Sequence, residues 1–154
     1  MFQIGQITEG KKRYLDLLLL GDEQESMIDR YLERGDLFVL EVDSDPAGVC
    51  VVTREEEGLY EIRNLAVSPS FQRRGYGREL VLFLFRRYPD CRTIQLGTGD
   101  SPATLDFYSA LGFSPFRWER DFFLRYYDHP IYEGGRQLKD MVYLRRDAPV
   151  GDAL

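Results

Sequence analysis

A short glycine-rich segment with neighbouring arginines is the part of the sequence whose residue types most directly indicate chemistry. This glycine loop spans Gln72 to Gly77 and reads Gln-Arg-Arg-Gly-Tyr-Gly, with Arg78 directly after it. Glycines let a ligand approach the backbone, the first N–H groups of a helix have no partner inside the helix, and the helix dipole adds partial positive charge. If a helix begins near Gly75, we expect the loop to bind an anion such as a pyrophosphate. The alternative is a glycine turn that merely opens a helix.

Two other phosphate-binding loops are excluded by the same residues. A Walker loop needs Lys followed by Ser or Thr after its glycines, and none follows Gly77. A Rossmann loop needs Gly-x-Gly-x-x-Gly in an early strand-helix-strand unit, which is absent.

Hydrophobic periodicity and turn residues predict the elements around the loop. For the first half they predict strands at residues 2–7, 37–42, 47–53 and 59–67, helices at 11–20 and 23–33, and a turn at 43–46. For the second half they predict helices at 75–88 and 102–111, strands at 93–96, 113–122 and 138–145, and a long connection at 124–135. Ser101 followed by Pro102 is typical of a helix N-terminus, with Ser101 as the N-cap.

Composition and length limit the class of protein to which the chain can belong. The 154 residues are 44% hydrophobic and 30% charged, which predicts one compact domain. The longest apolar run, Leu80 to Phe85, is too short to span a bilayer, and the N-terminus does not resemble a secretory signal. Cys50 and Cys91 form no Cys-x-x-Cys pair, so we expect free thiols in a reducing compartment, by default the cytoplasm.

The charge distribution is uneven along the chain. The formal net charge is −6, with 7 basic and 15 acidic side chains in residues 1–70 against 13 and 11 in residues 71–154. The total disfavours a nucleic-acid binder held by phosphate contacts. The distribution favours an anion on the second half and a cation near the first, although ordinary surface variation explains it equally well.

Two segments resemble conserved motifs of the GNAT superfamily of acyl-CoA-dependent N-acyltransferases. Leu65-Ala66-Val67-Ser68-Pro69, followed by the glycine loop, resembles its motif A. Thr104 to Phe113 resembles its segment Asn-x-x-Ala-x-x-Phe-Tyr-x-x-x-Gly-Phe, but Ser101 replaces the usual Asn and Thr104 the usual Ala. The resemblance covers residues 2–146, so we expect one such domain at 1–146 and a disordered tail at 147–154.

The resemblance implies a fold and a coenzyme. The fold is α+β, a mostly antiparallel sheet flanked by helices, in which the strands at 61–67 and 93–96 form a splayed parallel pair. Acetyl-CoA, a co-substrate, would lie there, with its pantetheine arm along the backbone of Leu65 and Val67 and a backbone N–H holding the thioester oxygen. The implied coenzyme-binding residues are Leu65, Ala66, Val67, Gln72, Arg73, Arg74, Gly75, Tyr76, Gly77, Arg78, Ser101, Thr104 and Tyr108. No metal is implied, and the single His and missing ligand motifs agree.

The resemblance also suggests two catalytic residues. Tyr108 matches the family tyrosine that protonates the departing thiolate, and the alternative is a packing aromatic. Glu61 resembles the catalytic glutamate of the histone-acetylating branch, and the alternative is an edge carboxylate in water or paired with Arg63. A strand period of two would place Glu61, Arg63, Leu65 and Val67 on one face.

The sequence therefore predicts an N-acetyltransferase that moves an acetyl group from acetyl-CoA to a primary amine of a small molecule or a protein, by direct attack in a ternary complex. No membrane is involved, and a homodimer is allowed. A non-catalytic acyl-CoA-binding or sensing module is the alternative, and the presence of Tyr108 favours the enzyme.

Overall fold

The computed structural model of the protein describes residues 1–149. It forms two compact units, the first at Met1–Cys91 and the second beginning at Arg92. The prediction of one domain over residues 1–146 stays a prediction. Of the expected disordered tail, Asp147 belongs to the last strand, and residues 150–154 lie outside the described residues.

The first unit is an antiparallel meander with helices. Its elements are β1 (Phe2–Ile7), a 3₁₀ turn (Lys11–Tyr14), α1 (Leu15–Gly21), α2 (Glu25–Ile28), β2 (Asp36–Val42), β3 (Asp45–Glu56), β4 (Leu59–Val67), a second 3₁₀ turn (Pro69–Phe71) and α3 (Tyr76–Arg87). β1 pairs with β2, β2 with β3 and β3 with β4, each time antiparallel. The turn between β2 and β3 consists of Asp43 and Ser44, with φ of 49° and 75°. Two left-handed residues match the right-handed twist of a hairpin, so Asp45 and Pro46 belong to β3 rather than to the predicted four-residue turn.

The helices cover opposite faces of this meander. Leu18 of α1 and Ile28 of α2 pack in one buried cluster with Val49 and Val51 of β3. On the other face, a Cβ placed at Gly48 would lie 3.2 Å from Leu80 of α3. Because Val49 and Gly48 are consecutive in β3, α1 and α3 contact alternate residues of the same strand. We refer to these as the α1 face and the α3 face.

The predicted helix at 23–33 is wrong beyond Ile28, where α2 ends. The next residues form turns, with the N–H of Tyr31 donating to the carbonyl of Ile28 at 3.1 Å. Lys11 is 8% exposed, and its ammonium donates to the carbonyls of Leu32 (3.0 Å) and Gly35 (2.7 Å). This tertiary contact satisfies carbonyls of the turns that follow α2.

Up to residue 149, the second unit contains three strands that pair antiparallel with one another, a separate hairpin and two helices. Its elements are β5 (Thr93–Gly99), α4 (Pro102–Ala110), β6 (Ser114–Glu119), α5 (Phe122–Tyr126), β7 (Tyr132–Glu133), β8 (Arg136–Gln137) and β9 (Met141–Asp147). β9 pairs antiparallel with β5 and with β6, and β7 with β8 forms a separate hairpin. β5 therefore continues beyond the predicted end at residue 96 to Gly99, and the expected strand at 113–122 ends at Glu119. The long connection at 124–135 contains most of α5 and all of β7.

Candidate functional site

The glycine loop joins β4 to α3, as predicted. β4 ends at Val67, whose carbonyl accepts a hydrogen bond from the side-chain amide of Gln72 at 2.9 Å. Arg73 and Gly75 have left-handed φ values of 65° and 86°, and α3 begins at Tyr76. No described heavy atom lies within 4 Å of a Cβ built at Gly75, so glycine is required there by backbone conformation rather than by space.

The loop presents positive charge to solvent. Arg73, Arg74 and Arg78 are exposed, and the Arg74 guanidinium lies 5.7 Å from the ring centre of Phe71. The N–H of Glu79 donates to the carbonyl of Gly75 at 3.0 Å, which makes the N–H groups of residues 76–78 the first turn of α3. Exposed N–H groups, a helix N-terminus and guanidinium groups together are suited to binding a phosphate group.

β4 carries a bulge that changes the predicted arrangement of side chains. Val51 of β3 lies opposite Asn64, but the next residue, Val52, lies opposite Ile62. Arg63 is therefore the extra residue of β4 at this point. Directly opposite residues share a face, and consecutive residues of β3 alternate, so Asn64 and Ile62 lie on opposite faces rather than on the same one.

The bulge overturns the prediction that Glu61 shares a face with Leu65 and Val67. Glu61 lies opposite Thr53, which shares the α1 face with Val51, whereas Leu65 lies opposite Cys50 on the α3 face. Val67 lies opposite Gly48, also on the α3 face. Ala66, 8% exposed, belongs to the buried cluster that contains Leu18 of α1. The carboxylate of Glu61 thus lies on the face covered by α1.

Glu61 is part of a group of charged side chains on the α1 face. Its side chain is 14% exposed, and its carboxylate lies 3.1 Å from the guanidinium of Arg63. Arg63 also lies 4.0 Å from Glu55, which pairs with Arg34 at 3.3 Å. The hydroxyl of Thr53, which donates to Glu55 at 2.6 Å, and then the guanidinium groups hold the pKa of Glu55 below its usual value, against the opposing effect of burial.

The second unit carries the remaining predicted residues on or beside α4. Tyr108 is 6% exposed, and its ring centre lies 4.9 Å from that of Phe107 and 5.6 Å from that of Phe113. This packing is compatible with either role considered for Tyr108.

Ser101 and Thr104 depart in detail from the sequence prediction. Ser101 occupies the N-cap position and is 4% exposed, but within the described chain its side chain makes no capping hydrogen bond. The hydroxyl of Thr104 donates to Glu133 of β7 at 2.6 Å. Of the two residues that differ from the usual family motif, Ser101 is buried and Thr104 is already hydrogen-bonded.

Two residues beside the bulge were missed by the sequence analysis. They are Asn64, 3% exposed, and Tyr31, 4% exposed, whose side chains are hydrogen-bonded to each other at 3.1 Å. Asparagine is depleted in strands, so an Asn in the middle of the predicted strand at 59–67 was the available signal.

Residues 1–149 contain neither a group of metal-ligating side chains nor a helix able to cross a membrane. No three side chains of metal-ligating type are grouped closely enough to hold a metal ion. No helix is both long and apolar enough to cross a membrane.

The segment that contains β4, the glycine loop and α3 matches a known protein family. The acetyltransferase (GNAT) domain family matches residues 33–115. An uncharacterized N-acetyltransferase of Bacillus subtilis (strain 168), YvbK, is 40% identical over 135 residues, which are 86% of this chain and 87% of that protein. The chain therefore belongs to the GNAT family of acetyltransferases.

Solved structures extend the similarity over nearly the whole chain. A GNAT family acetyltransferase from Elizabethkingia anophelis with acetyl-CoA bound has a TM-score of 0.88 at 30% identity, covering 95% of this chain and 97% of its own. A Bacillus subtilis acetyltransferase in complex with CoA has a TM-score of 0.86 at 37% identity, covering 96% and 99%. These structures confirm the predicted α+β fold class.

Proposed function

We propose that this protein is an acetyl-CoA-dependent N-acetyltransferase that acetylates a primary amine of a small molecule or a protein. The observation that carries the proposal is the glycine loop, in which Gly75 with φ of 86° turns the chain from β4 into α3 beside exposed arginines. The complexes of the two related acetyltransferases with acetyl-CoA and CoA support the same coenzyme here. The two buried cysteines, Cys50 and Cys91, fit the cytoplasm as its compartment.

In the proposed complex the loop binds the pyrophosphate of acetyl-CoA. Its ligands are the N–H groups of Arg73 to Arg78, with the guanidinium groups as counter-charges. The pantetheine arm pairs with the backbone of Leu65 and Val67 as an added strand, a contact that does not depend on which face their side chains occupy. The remaining proposed coenzyme contacts are Ala66, Gln72, Ser101, Thr104 and Tyr108.

The proposed reaction is direct attack of the amine on the thioester. The amine nitrogen bonds to the carbonyl carbon, the carbon–sulfur bond breaks, and a backbone N–H stabilises the charge on the oxygen. The proton of the ammonium passes to Glu61 or to a water molecule, and Tyr108 protonates the thiolate. Because Glu61 lies on the α1 face, this role requires the amine to approach from the side of α1.

Thiol release from acetyl-CoA in the presence of a panel of amines tests the proposal. The panel includes polyamines, amino acids, and peptides with a free α-amine or a lysine, and binding of acetyl-CoA is measured in parallel. We expect binding and amine-dependent thiol release with at least one class. Binding without turnover on any amine indicates the sensing module instead, and absence of binding contradicts both functions.

A further inference from the structure

Tyr31, in the turn after α2, is the centre of a buried hydrogen-bonded group that the proposed reaction does not use. Its hydroxyl donates to a carboxylate oxygen of Asp22 at 3.0 Å and accepts a hydrogen bond from the side-chain amide of Asn64 at 3.1 Å. The same amide nitrogen donates to the carbonyl of Leu18 at 2.9 Å. Tyr31 and Asn64 therefore join the turn after α2, the end of α1 and β4.

Gly21 brings the end of α1 directly onto this part of β4. A Cβ placed at Gly21 would lie 2.1 Å from Oδ1 of Asn64 and 3.2 Å from the carbonyl oxygen of Leu65. Oδ1 of Asn64 accepts no hydrogen bond from any described residue, so the amide is held by its two donor contacts and by this close packing.

The ring of Tyr31 contacts Arg63, the extra residue of the bulge. The guanidinium carbon of Arg63 lies 5.5 Å from the ring centre, and Arg63 in turn pairs with Glu61 at 3.1 Å. One side chain thus holds two consecutive residues of β4, Arg63 through its ring and Asn64 through its hydroxyl. The bulge is the point at which the side chains of β4 change faces.

We propose that Tyr31 is a positioning residue for acetyl transfer, which fixes the bulge of β4 and thereby the direction of Glu61. This inference rests on the proposed function. Tyr31 acts through its contacts with Arg63 and Asn64 and does not itself contact the coenzyme. Loss of the hydroxyl leaves the ring under Arg63 but removes one of the two donor contacts of Asn64, which loosens the bulge next to Glu61. The expected effect is therefore on turnover rather than on coenzyme binding.

Tyr31→Phe is the test, and Tyr88→Phe is its matched control. Tyr88 is also a buried tyrosine of the first unit, 6% exposed, and its hydroxyl donates to the carboxylate of Asp36. Each substitution removes one part-buried hydrogen bond to a carboxylate, and Tyr31→Phe also removes the one accepted from Asn64, so both variants should lose stability and Tyr31→Phe somewhat more. We expect Tyr31→Phe to lower kcat about 10-fold with the KM for acetyl-CoA within about 2-fold of the parent, and Tyr88→Phe to turn over like the parent.

Amide hydrogen exchange of the β4 peptide provides a readout independent of turnover. Exchange across residues 61–67 should become faster in Tyr31→Phe and stay unchanged in Tyr88→Phe. Equal turnover of the two variants, or unchanged exchange in Tyr31→Phe, overturns the role of Tyr31 and leaves the proposed function intact. A parent protein that acetylates no amine overturns both proposals.

Discussion

Arg63 and Glu61 lie on the same face of β4 as an ion pair, with guanidinium nitrogen and carboxylate oxygen 3.1 Å apart. The pair lies at the bulge, where Arg63 is the extra residue of β4, and the two side chains are only 25% and 14% exposed. The pairing with Arg63 that was considered as the alternative for Glu61 is therefore present.

Kinetics of Glu61→Gln distinguish a base from a charge that attracts the acceptor. If Glu61 accepts the proton of the ammonium, kcat should fall most at neutral pH and less at high pH, where free amine is abundant. If it only attracts a cationic acceptor, the KM for the amine should rise with kcat nearly intact. Both constants should be measured between about pH 6.5 and 9.5. Glu55→Gln is the control, because Glu55 is a second carboxylate near Arg63, at 4.0 Å. The kinetics of Glu55→Gln should match those of the parent. If Glu61→Gln also matches the parent, Glu61 has no part in the mechanism.

Gly75→Ala should weaken binding of acetyl-CoA without unfolding the protein. The added Cβ meets no described atom, but φ of 86° is unfavourable for alanine and costs about 1–2 kcal/mol of stability or shifts the start of α3. The increase in thermal midpoint on adding acetyl-CoA should therefore shrink strongly.

Gly135→Ala is the matched control for that experiment. Gly135, in the β7–β8 turn, also has a left-handed φ, 77°, and open space around its Cβ. It should lose comparable stability but keep the full shift with acetyl-CoA. An equal shift in the two variants contradicts the assignment of the glycine loop to the pyrophosphate.

Tyr108→Phe tests the proposed acid. The ring contacts with Phe107 and Phe113 stay, while the proton donor is lost, so turnover should fall about 100-fold with little change in acetyl-CoA binding. Tyr132→Phe, at an exposed tyrosine of β7, should behave like the parent. Parent-like turnover of Tyr108→Phe means that Tyr108 only packs.

Stability at alkaline pH should depend on Tyr31. Burial, and then the charge of Asp22, raise the pKa of Tyr31 well above its usual value, so the folded state holds this proton while the unfolded chain releases it. Below about pH 10 the titration of Tyr31 should leave the free energy of unfolding unchanged with pH. Above about pH 10 it should lower that free energy by at most about 1.4 kcal/mol per pH unit. Denaturant unfolding of Tyr31→Phe between about pH 9.5 and 11.5 should show a shallower decline than the parent. An identical slope contradicts the burial of a protonated phenol.

Local sequence determined a large part of the fold and of the candidate site. The strands Phe2–Ile7 and Leu59–Val67 were predicted with their observed bounds, and the start of α3 and of α4 within one residue. Alternating or helical periodicity, a positive-φ glycine and a proline at the first helical position act within a few residues. The glycine loop was found for the same reason.

The tertiary structure alone decided the faces of β4 and the partners of its side chains. Arg63 became the extra residue because of how β4 pairs with β3, and a shift of one residue moves every following side chain to the other face. The helix predicted to reach residue 33 ends at Ile28, and Lys11 bonds the carbonyls of the turns that replace its last part. The hydroxyl of Thr104 is taken by Glu133, 29 residues away. Each of these contacts joins residues distant in the chain, and neither periodicity nor residue type encodes which distant groups meet.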